Sequence, residues 1–300
     1  MSPEILAIDD VGRWGRAIVS EASCRGWSAR LINSADEIKS NNAILFARIS
    51  QDAKKRESEM PIIKKAADIG AIMIPDIDLL LEYESKILQT QRYKEWMPET
   101  DYITSAYDAA LILGKHGYPF VSKSSTGSAS CNVRLIHNET EGVDEIKKAF
   151  SDDGLKASHG LGEKAQKGYL IWQRLLAGND YDYRACIVGD KIMLLRRGNR
   201  KDVPFASGSG ITEPIRELND ETESVLEFAY MFFRKFKMGW CGIDIVKDYD
   251  KKEWRMLETT IGWKQSAYSD CVFFDRFGND MSARGKDIWK VFCDYIGRYL

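Results

Sequence analysis

Short apolar runs alternate with amphipathic segments over residues 4 to 75, and this alternation constrains the fold more than any other feature of the chain. The apolar runs are EILAI, SARLI, NAILFARI and AIMIP, and helix-like segments extend from Trp14 to Cys24 and up to Gly70. Strands separated by helical segments of roughly 10 to 20 residues favour a small parallel sheet covered by helices. Such a sheet can bind a ligand at the ends of its strands.

The rest of the chain predicts helices and mainly antiparallel strands. One helix is predicted from Glu82 to Trp96, ended by Pro98, and a second from Ala106 to His116. The later elements are strands in YPFVSK and NVRLI around the loop SSTGSAS, a helix near 145–150, a loose stretch at 151–168, strands in YLIWQRLL and DYRACIVGDKIMLLRR, a helix from Asp220 to Phe236, and strands in CGIDIV and EWRMLET. We therefore predict an α/β N-terminal domain at 1–80, followed by α+β subdomains at 81–168 and 169–300.

Composition narrows the class of partner. A net charge of -2 gives the whole chain no attraction to nucleic acid or to an anionic membrane. The six cysteines are scattered, without a CxxC pair or a short Cys/His cluster, which indicates free thiols. The N-terminus lacks a signal-peptide pattern, and no apolar run approaches 18 residues. We expect a cytoplasmic protein with no nucleic-acid or membrane partner.

The first candidate for chemistry is Lys123, which ends the predicted strand PFVSK directly before a loop of small residues. Small residues let backbone N–H groups approach phosphate oxygens closely, and the lysine adds a fixed cation beside them. The loop includes Ser125, Gly127 and Ser128. A plain hairpin is the alternative interpretation, and no GKS or GKT follows as in a P-loop.

The second candidate is the stretch from Tyr169 to Arg184 and the arginines that follow it. A strand that runs out into a linker can offer backbone groups to an adenine edge, and Asp180 could reach a ribose hydroxyl. Arg184, Arg197 and Arg200 could converge on a polyphosphate through bidentate contacts. A core strand with a surface turn, and solvated arginines, is the alternative.

The third candidate is the pair Asp244 and Glu258, each of which interrupts an apolar strand. A carboxylate buried without a partner costs several kcal/mol, so each acid requires a cation or a donor. Mg²⁺ binds one or two carboxylates and completes its octahedron with phosphate oxygens and water. A structural salt bridge to an arginine is the alternative.

Together these blocks resemble the ATP-grasp superfamily, and most closely its branch of ribosomal-protein glutamate ligases and glutathione synthetases. The resemblance covers roughly residues 84 to 262 and depends on the order of the blocks: Lys86 in a helix that ends at Pro98, PFVSK, WQRLL, DYR, VGDKI, RRGNRKD, SGSG, GIDIV and LET. It implies an α/β N-terminal domain followed by two α+β ATP-grasp subdomains with ATP bound between them.

The resemblance also implies roles for single residues. Lys86 and Lys123 would contact phosphates, with Lys123 also near the adenine, and Gln173, Arg174, Leu175 and Leu176 would form the hinge beside adenine. Arg184 and Arg197 would lie near the γ-phosphate and the acyl group and, together with Lys123, would act in catalysis. Asp244, Glu258 and Thr260 would occupy the metal-binding positions. Arg200, Ser207 and Ser209 belong to the run ending in SGSG and would face the phosphates or the substrate.

Two departures from the family pattern are visible in the sequence. The usual acidic residue after the hinge glutamine is Arg174 here, which leaves Asp180 as the candidate for the ribose. The last metal ligand of the usual E-x-N motif is Thr260, and a hydroxyl is a weaker ligand for Mg²⁺ than an amide carbonyl.

The leading hypothesis is a ligase that uses Mg-ATP to join a carboxylate to a nucleophile through an acylphosphate. The carboxylate belongs to a small molecule or a peptide, and homodimerisation is expected only by analogy. A nucleotide-binding sensor or scaffold without turnover is the second hypothesis, because of Thr260. The third is a dinucleotide-dependent oxidoreductase, supported only by Gly12 and Gly15, whose spacing is not GxGxxG.

Overall fold

The structure is a computed structural model that describes residues 2–10, 12–127, 132–156, 165–201 and 204–300. The N-terminal region has a four-stranded sheet in the order β2-β1-β3-β4, in which every pairing is parallel. This confirms the predicted parallel sheet. Its elements are β1 (Glu4–Ile8), α1 (Trp14–Cys24), β2 (Ala29–Ile32), β3 (Ala43–Phe46), α2 (Ala53–Asp68) and β4 (Ile72–Ile74).

Gly15, one of the two glycines near the N-terminus, is explained by close packing of α1 against β1. A Cβ atom at this position would lie 2.1 Å from the carbonyl oxygen of Ile8, at the end of β1. Only glycine therefore allows the first turn of α1 to pass so close to the strand.

The middle region has a second four-stranded sheet, in the order β5-β10-β6-β7, and all of its pairings are antiparallel. Strand β10 joins this sheet, so the chain crosses to the next sheet only after Arg174, later than the boundary predicted at 168. The elements are α3 (Ile77–Glu82), α4 (Lys86–Arg92), β5 (Thr100–Ile103), α5 (Ala106–Ile112), β6 (Phe120–Lys123), β7 (Val133–Ile136), α6 (Glu139–Ala149), β8 (Leu155–Lys156), β9 (Ala165–Gln166) and β10 (Leu170–Arg174).

The single helix predicted from Glu82 to Trp96 is wrong. Glu84 has a left-handed φ of 59°, which separates α3 from α4. Ser85 then caps α4 by accepting a hydrogen bond from the N–H of Leu88. Helix α5 ends at Ile112 rather than His116, and α6 begins at Glu139, well before residue 145, because Asn138 caps it.

The large C-terminal sheet has the order β15-β14-β11-β12-β16-β17, with β13 paired to β12, and is antiparallel throughout. Helix α7 has the predicted bounds. The elements are β11 (Tyr181–Val188), β12 (Lys191–Gly198), β13 (Thr212–Pro214), α7 (Asp220–Phe236), β14 (Trp240–Asp248), β15 (Glu253–Thr260), β16 (Val272–Phe274), β17 (Asp280–Arg284) and α8 (Ile288–Ile296), with 3₁₀ turns at Ala35–Glu37, Gln265–Ala267, Gly285–Asp287 and Gly297–Tyr299.

Side chains alternate between the two faces of each strand, so the large sheet has two distinct surfaces. On one face Ala185, Ile187 and Ile243 pack in a core with the apolar side of α7. On the other face Cys186, Val188 and other residues pack with α1, α8 and the N-terminal sheet. A cluster of four tryptophans lies in this second core, with ring centroids of neighbouring pairs 5.1 to 5.7 Å apart: Trp14, Trp240, Trp263 and Trp289.

Within the described ranges, no helix is both long and apolar enough to cross a membrane. The five cysteines in those ranges carry no disulfide, and Cys131 lies outside them.

Candidate active site

A cleft of about 830 Å³, open to solvent, lies between the middle sheet and the large sheet. Its walls are apolar on both sides. Val121 and Val133 line it from the middle sheet, and Val246 and Leu257 from the large sheet, while residues 175 and 176 line it where the chain crosses between the two. Two facing apolar walls suit a flat aromatic group.

Lys123 ends β6 inside this cleft and is buried. Its Nζ donates a hydrogen bond to Gln173 Oε1 at 2.7 Å, and Gln173 Nε2 donates to Thr100 Oγ1 at 2.8 Å. Burial, the largest effect, lowers the pKa of Lys123 to about 8, although Glu258 acts in the opposite direction. An anion that enters the cleft would therefore stabilise the charged form of Lys123.

Lys86, the first residue of α4, supplies a second cation to the cleft. Its Nζ donates to the carbonyl oxygen of Gly127 at 2.8 Å and lies 3.4 Å from Glu258 Oε1. The Glu258 side chain is 32% exposed, so this carboxylate is open to the cleft. One lysine therefore connects the small-residue loop of the middle sheet to β15 of the large sheet.

A row of alternating acids and arginines crosses three strands of the large sheet. Strand register places Asp182 opposite Arg197 and Arg184 opposite Asp244. The Arg197 guanidinium donates to both Asp182 oxygens at 2.6 Å and lies 2.7 Å from Asp244. Arg184 Nη2 donates to the same Asp244 carboxylate at 2.7 Å. Each buried charge in this row has a partner of the opposite sign, as burial requires.

The two aspartates in the row respond differently to burial. Burial is the largest effect on Asp182 and raises its pKa despite the attraction of Arg197. Burial opposes ionisation of Asp244 as well, but Arg184 and Arg197 both attract its charge and hold its pKa well below the ordinary value. Asp244 is therefore a permanently charged group in the floor of the cleft.

Asp244 and Glu258 face each other across β14 and β15, and both line the cleft. In the described part of the chain, no group of three or more His, Cys, Asp or Glu side chains is arranged to hold a metal ion. Two carboxylates nevertheless fit Mg²⁺, which takes its other ligands from phosphate and water. This donor set suits a metal that arrives with a phosphate ligand better than a resident metal.

The structure brings ten of the predicted site residues to the lining of the cleft: Lys86, Lys123, Gly127, Gln173, Arg174, Leu175, Leu176, Ser207, Asp244 and Glu258. Arg184 and Arg197 do not line the cleft, but in the acid–arginine row they pair with Asp244 and Asp182, which do. Ser125 is buried, and its N–H donates to the Tyr169 hydroxyl at 2.7 Å. Ser128 lies outside the described residues.

Other predicted residues have different surroundings. Asp180 is exposed and does not line the cleft, whereas its neighbour Asn179 does. The guanidinium of Arg174 pairs with the buried Asp248 and lies 3.3 Å from Asp250. Arg200, like Asp180, does not line the cleft. Its Nη2 donates to the carbonyl oxygen of Ser207 at 2.7 Å.

Thr260 does not line the cleft. Its hydroxyl donates to the carbonyl oxygen of Gly262 at 2.9 Å and accepts from the N–H of the same residue at 3.2 Å. These two bonds close the turn after β15, which is a structural use of the hydroxyl.

Sequence reasoning did not single out Asp182, Asn179, Asn199 or Phe205, which also line the cleft. For Asp182 a signal was present, because positions 182 and 184 share a strand face and an acid two residues before Arg184 must lie beside it. Asn199 and Phe205 carry no such signal, because they come from the connection after β12.

No protein family model and no curated protein sequence matches the chain. Solved structures do match at a probability of 1.00. A RimK-domain ATP-grasp protein from Sphaerobacter thermophilus is 13% identical, with a TM-score of 0.63, covering 97% of this chain and 98% of that one. A RiPP-associated ATP-grasp ligase from Chryseobacterium gregarium, in complex with ADP and a leader and core peptide, is 12% identical, with a TM-score of 0.62 and coverage of 99% and 97%.

D-alanine–D-alanine ligase from Bacillus anthracis is also similar, at 12% identity and a TM-score of 0.60, covering 99% of this chain and 98% of that one. At these identities the likeness shows the fold. The chain has the ATP-grasp fold over nearly its whole length.

Proposed function

Because the chain has the ATP-grasp fold, we propose that it is an ATP-dependent ligase that activates a carboxylate as an acylphosphate and joins it to a nucleophile, releasing ADP and phosphate. One observation carries the proposal: a single cleft combines two apolar walls with two lysines and two carboxylates on facing strands. Support also comes from the ligases of similar fold, of which one, PsnB, is complexed with Mg, ADP and a minimal precursor.

In this proposal adenine lies between the valines of the middle sheet and the apolar residues of β14 and β15. The backbone from Gln173 to Leu176 contacts the edge of the base. Lys86 and Lys123 pair with phosphate oxygens, and the loop at Ser125 and Gly127 closes over them. The charges thus lie where a triphosphate needs them, while the base lies in the apolar part of the cleft.

The chemistry takes two balanced steps. A carboxylate oxygen of the substrate attacks the γ-phosphorus, the bond from that phosphorus to the β,γ-bridging oxygen breaks, and ADP leaves with the electron pair. A nucleophile such as an amine then attacks the acyl carbon, the bond to the phosphate oxygen breaks, and the amine loses a proton. Lys123, Arg184 and Arg197 stabilise the charge on the phosphoryl group, and Asp182 and Asp244 fix the two arginines in place.

The metal in this proposal is Mg²⁺, held by Asp244 and Glu258, and it would neutralise phosphate charge. Glu258 is the more accessible of the two acids, since Asp244 is already paired with two arginines. We therefore assign the larger part of metal binding to Glu258.

The test is magnesium-dependent ADP release with pooled amino acids, peptides and sugar acids, with and without hydroxylamine to trap an acylphosphate as a hydroxamate. We expect one pool to yield both products, and Glu258→Ala to lose both. Glu253→Ala is the matched control, because Glu253 is an exposed acid at the start of the same strand and pairs with Arg255. Equal hydroxamate yields from wild type and Glu258→Ala would contradict the proposal.

A nucleotide-binding protein without turnover is the second candidate. It is favoured by the Thr260 hydroxyl, which is engaged with Gly262, and by the pairing of Asp244 with two arginines. Stoichiometric binding of ATP with neither ADP nor hydroxamate from any pool would favour this candidate over the ligase.

A further inference from the structure

A further pocket, open to solvent and about 820 Å³ in volume, lies at the edge of the N-terminal sheet; we call it the sheet-edge pocket. It is distinct from the cleft. The lining residues are Asp10, Gly12, Arg48, Ile49, Ser50, Gln51, Asp52, Lys55, Glu59 and Tyr83.

The position of this pocket in the sheet favours ligand binding. Asp10 follows β1 and Arg48 follows β3, so both leave the carboxyl ends of adjacent parallel strands. The chain goes from β1 to β2 on one side and then returns to β3 on the other side of β1. Ligands of open α/β sheets bind outside the carboxyl strand ends at such a switch of direction.

Arg48 is a fixed cation with donor capacity left over. Its Nη1 donates to Asp10 at 2.9 Å, and its guanidinium lies 4.4 Å from the ring centroid of Trp14. Nε is buried without an acceptor, and Nη2 has none within the described ranges. Cβ atoms at Gly12 and Gly262 would lie 2.0 and 2.8 Å from the guanidinium, so a side chain at either position would displace it from its present place.

Charges of both signs remain available around the arginine. Glu59 accepts a hydrogen bond from the N–H of Ser50 at 2.6 Å, and burial, the largest effect, raises its pKa. Among the described side chains, no cation lies within ion-pair distance of Glu59 or Asp52, and no acid within that distance of Lys55. A ligand with one positive and one negative group would match this lining better than an ion of either sign.

A short bridge connects the sheet-edge pocket to the cleft. Gln51 Nε2 donates to Glu84 Oε1 at 3.1 Å, and the N–H of Gly127 donates to Glu84 Oε2 at 3.2 Å. Gly127 lines the cleft and accepts from Lys86. Glu84 holds its left-handed backbone conformation at this junction, and such strain persists where the surroundings fix it.

We propose that the sheet-edge pocket binds a free amino acid as a zwitterion, with its carboxylate on Arg48 and its ammonium facing Glu59, as a substrate of the ligase proposed above. The role as substrate depends on that proposed function, but the binding does not. Gln51 and Glu84 connect the occupied pocket to the loop beside the phosphates.

The experiment is isothermal titration of the full chain with each of the twenty amino acids. The strongest binder is then compared with the amine that lacks its carboxylate and the acid that lacks its ammonium. We expect either deletion to weaken binding at least tenfold, and Arg48→Lys and Glu59→Gln to do the same. The matched control is Arg25→Lys. Arg25 is as exposed as Arg48, pairs with Asp294 and lies 5.3 Å from the Trp27 ring centroid. This control variant should bind the amino acid like wild type.

Binding of no amino acid, or equal affinity in wild type and both pocket variants, would overturn the proposal. If Arg48→Lys does not fold, Glu59→Gln decides alone, because it keeps the shape of the side chain. The titration needs no turnover, so its result is separate from the ligase assay. Amino-acid binding that depends on Arg48, without ADP release, would support the binding site and contradict the ligase activity. ADP release that neither variant alters would support the ligase activity and contradict the binding site.

Discussion

One face of the large sheet is apolar along half of its length and ionic along the other half, although the same three strands build both. On β12, Leu195 belongs to the core that also contains α1, α8 and the N-terminal sheet, and Arg197, two residues on, is in the acid–arginine row. On β14, Trp240 belongs to the tryptophan cluster, while Asp244 lies in the floor of the cleft. The two halves are built by the same antiparallel strand pairs, with a register shift between β14 and β15 at Asp244 and Ile245 in the ionic half.

Gly242 lies between these halves on β14. A Cβ atom there would be 2.7 Å from a methyl group of Thr260 and 3.7 Å from the side chain of Arg184. Stability and chemistry are thus assigned to residues only two positions apart on one strand. We expect the apolar half to supply net stability, and the ionic half to supply activity with little net stability, because its buried charges balance one another.

The largest effect on activity is expected at Lys123, which lines the cleft from β6 of the middle sheet. Lys123→Met should reduce ADP release at least 1,000-fold, about 4 kcal/mol of transition-state stabilisation, because a phosphate loses its fixed cation. Its free energy of unfolding should change by less than about 2 kcal/mol, since the lost hydrogen bond to Gln173 is offset by removal of a buried charge.

Leu195→Ala is the counterpart in the apolar half and should behave in the opposite way. We expect it to lower the free energy of unfolding by about 2–5 kcal/mol while ADP release per folded molecule stays within about threefold of wild type. Urea denaturation and the ADP assay check both variants. A stable Leu195→Ala would contradict the contribution of the apolar half to stability, and an active Lys123→Met would contradict the role of the cleft in ADP release.

The next effect concerns the buried pair Asp182 and Arg197. Asp182→Leu alone should cost about 3–5 kcal/mol of stability, because it removes one partner of a buried charge. The double variant Asp182→Leu with Arg197→Met should regain most of that stability but no activity. Denaturation curves of the three proteins, with the ADP assay, give the answer. A double variant as unstable as the single one would mean that the row is needed for folding.

A third effect follows from the pKa of Lys123, which is about 8 in the folded chain and 10.5 in its ordinary state. Between these pH values the unfolded chain binds the proton and the folded chain does not, so the free energy of unfolding rises with pH. Relative to Lys123→Met, the wild type should gain roughly 2–3 kcal/mol between pH 7 and pH 10. Denaturation across this range measures it, and parallel curves for the two proteins would refute the lowered pKa.

The smallest effect tests Thr260. Thr260→Val should cost about 1 kcal/mol, the ordinary value of a lost hydrogen bond, and should leave the magnesium dependence of ADP release unchanged. A rise of more than about threefold in the magnesium concentration for half-maximal rate would restore Thr260 as a metal ligand.

The sequence predicted those features that depend on local pattern. Alternation predicted the parallel sheet, the cap at Asn219 agrees with a helix over Asp220–Phe236, and acids in apolar strands led to Asp244 and Glu258. Pairing between distant segments could not be predicted in the same way. The partner of Arg174 is Asp248, 74 residues away. At the break between α3 and α4, Glu84 contacts Gln51 and Gly127, and the spacing of apolar residues along the helix gives no sign of these contacts.

The tryptophan cluster has a practical consequence. Trp14 begins α1 beside the N-terminal sheet, whereas Trp240, Trp263 and Trp289 belong to the C-terminal region. Half of the eight tryptophans of the chain thus meet where these two regions join. Their emission is an intrinsic optical signal for that junction, so opening of the N-terminal sheet away from the large sheet can be followed by fluorescence in the unlabelled protein.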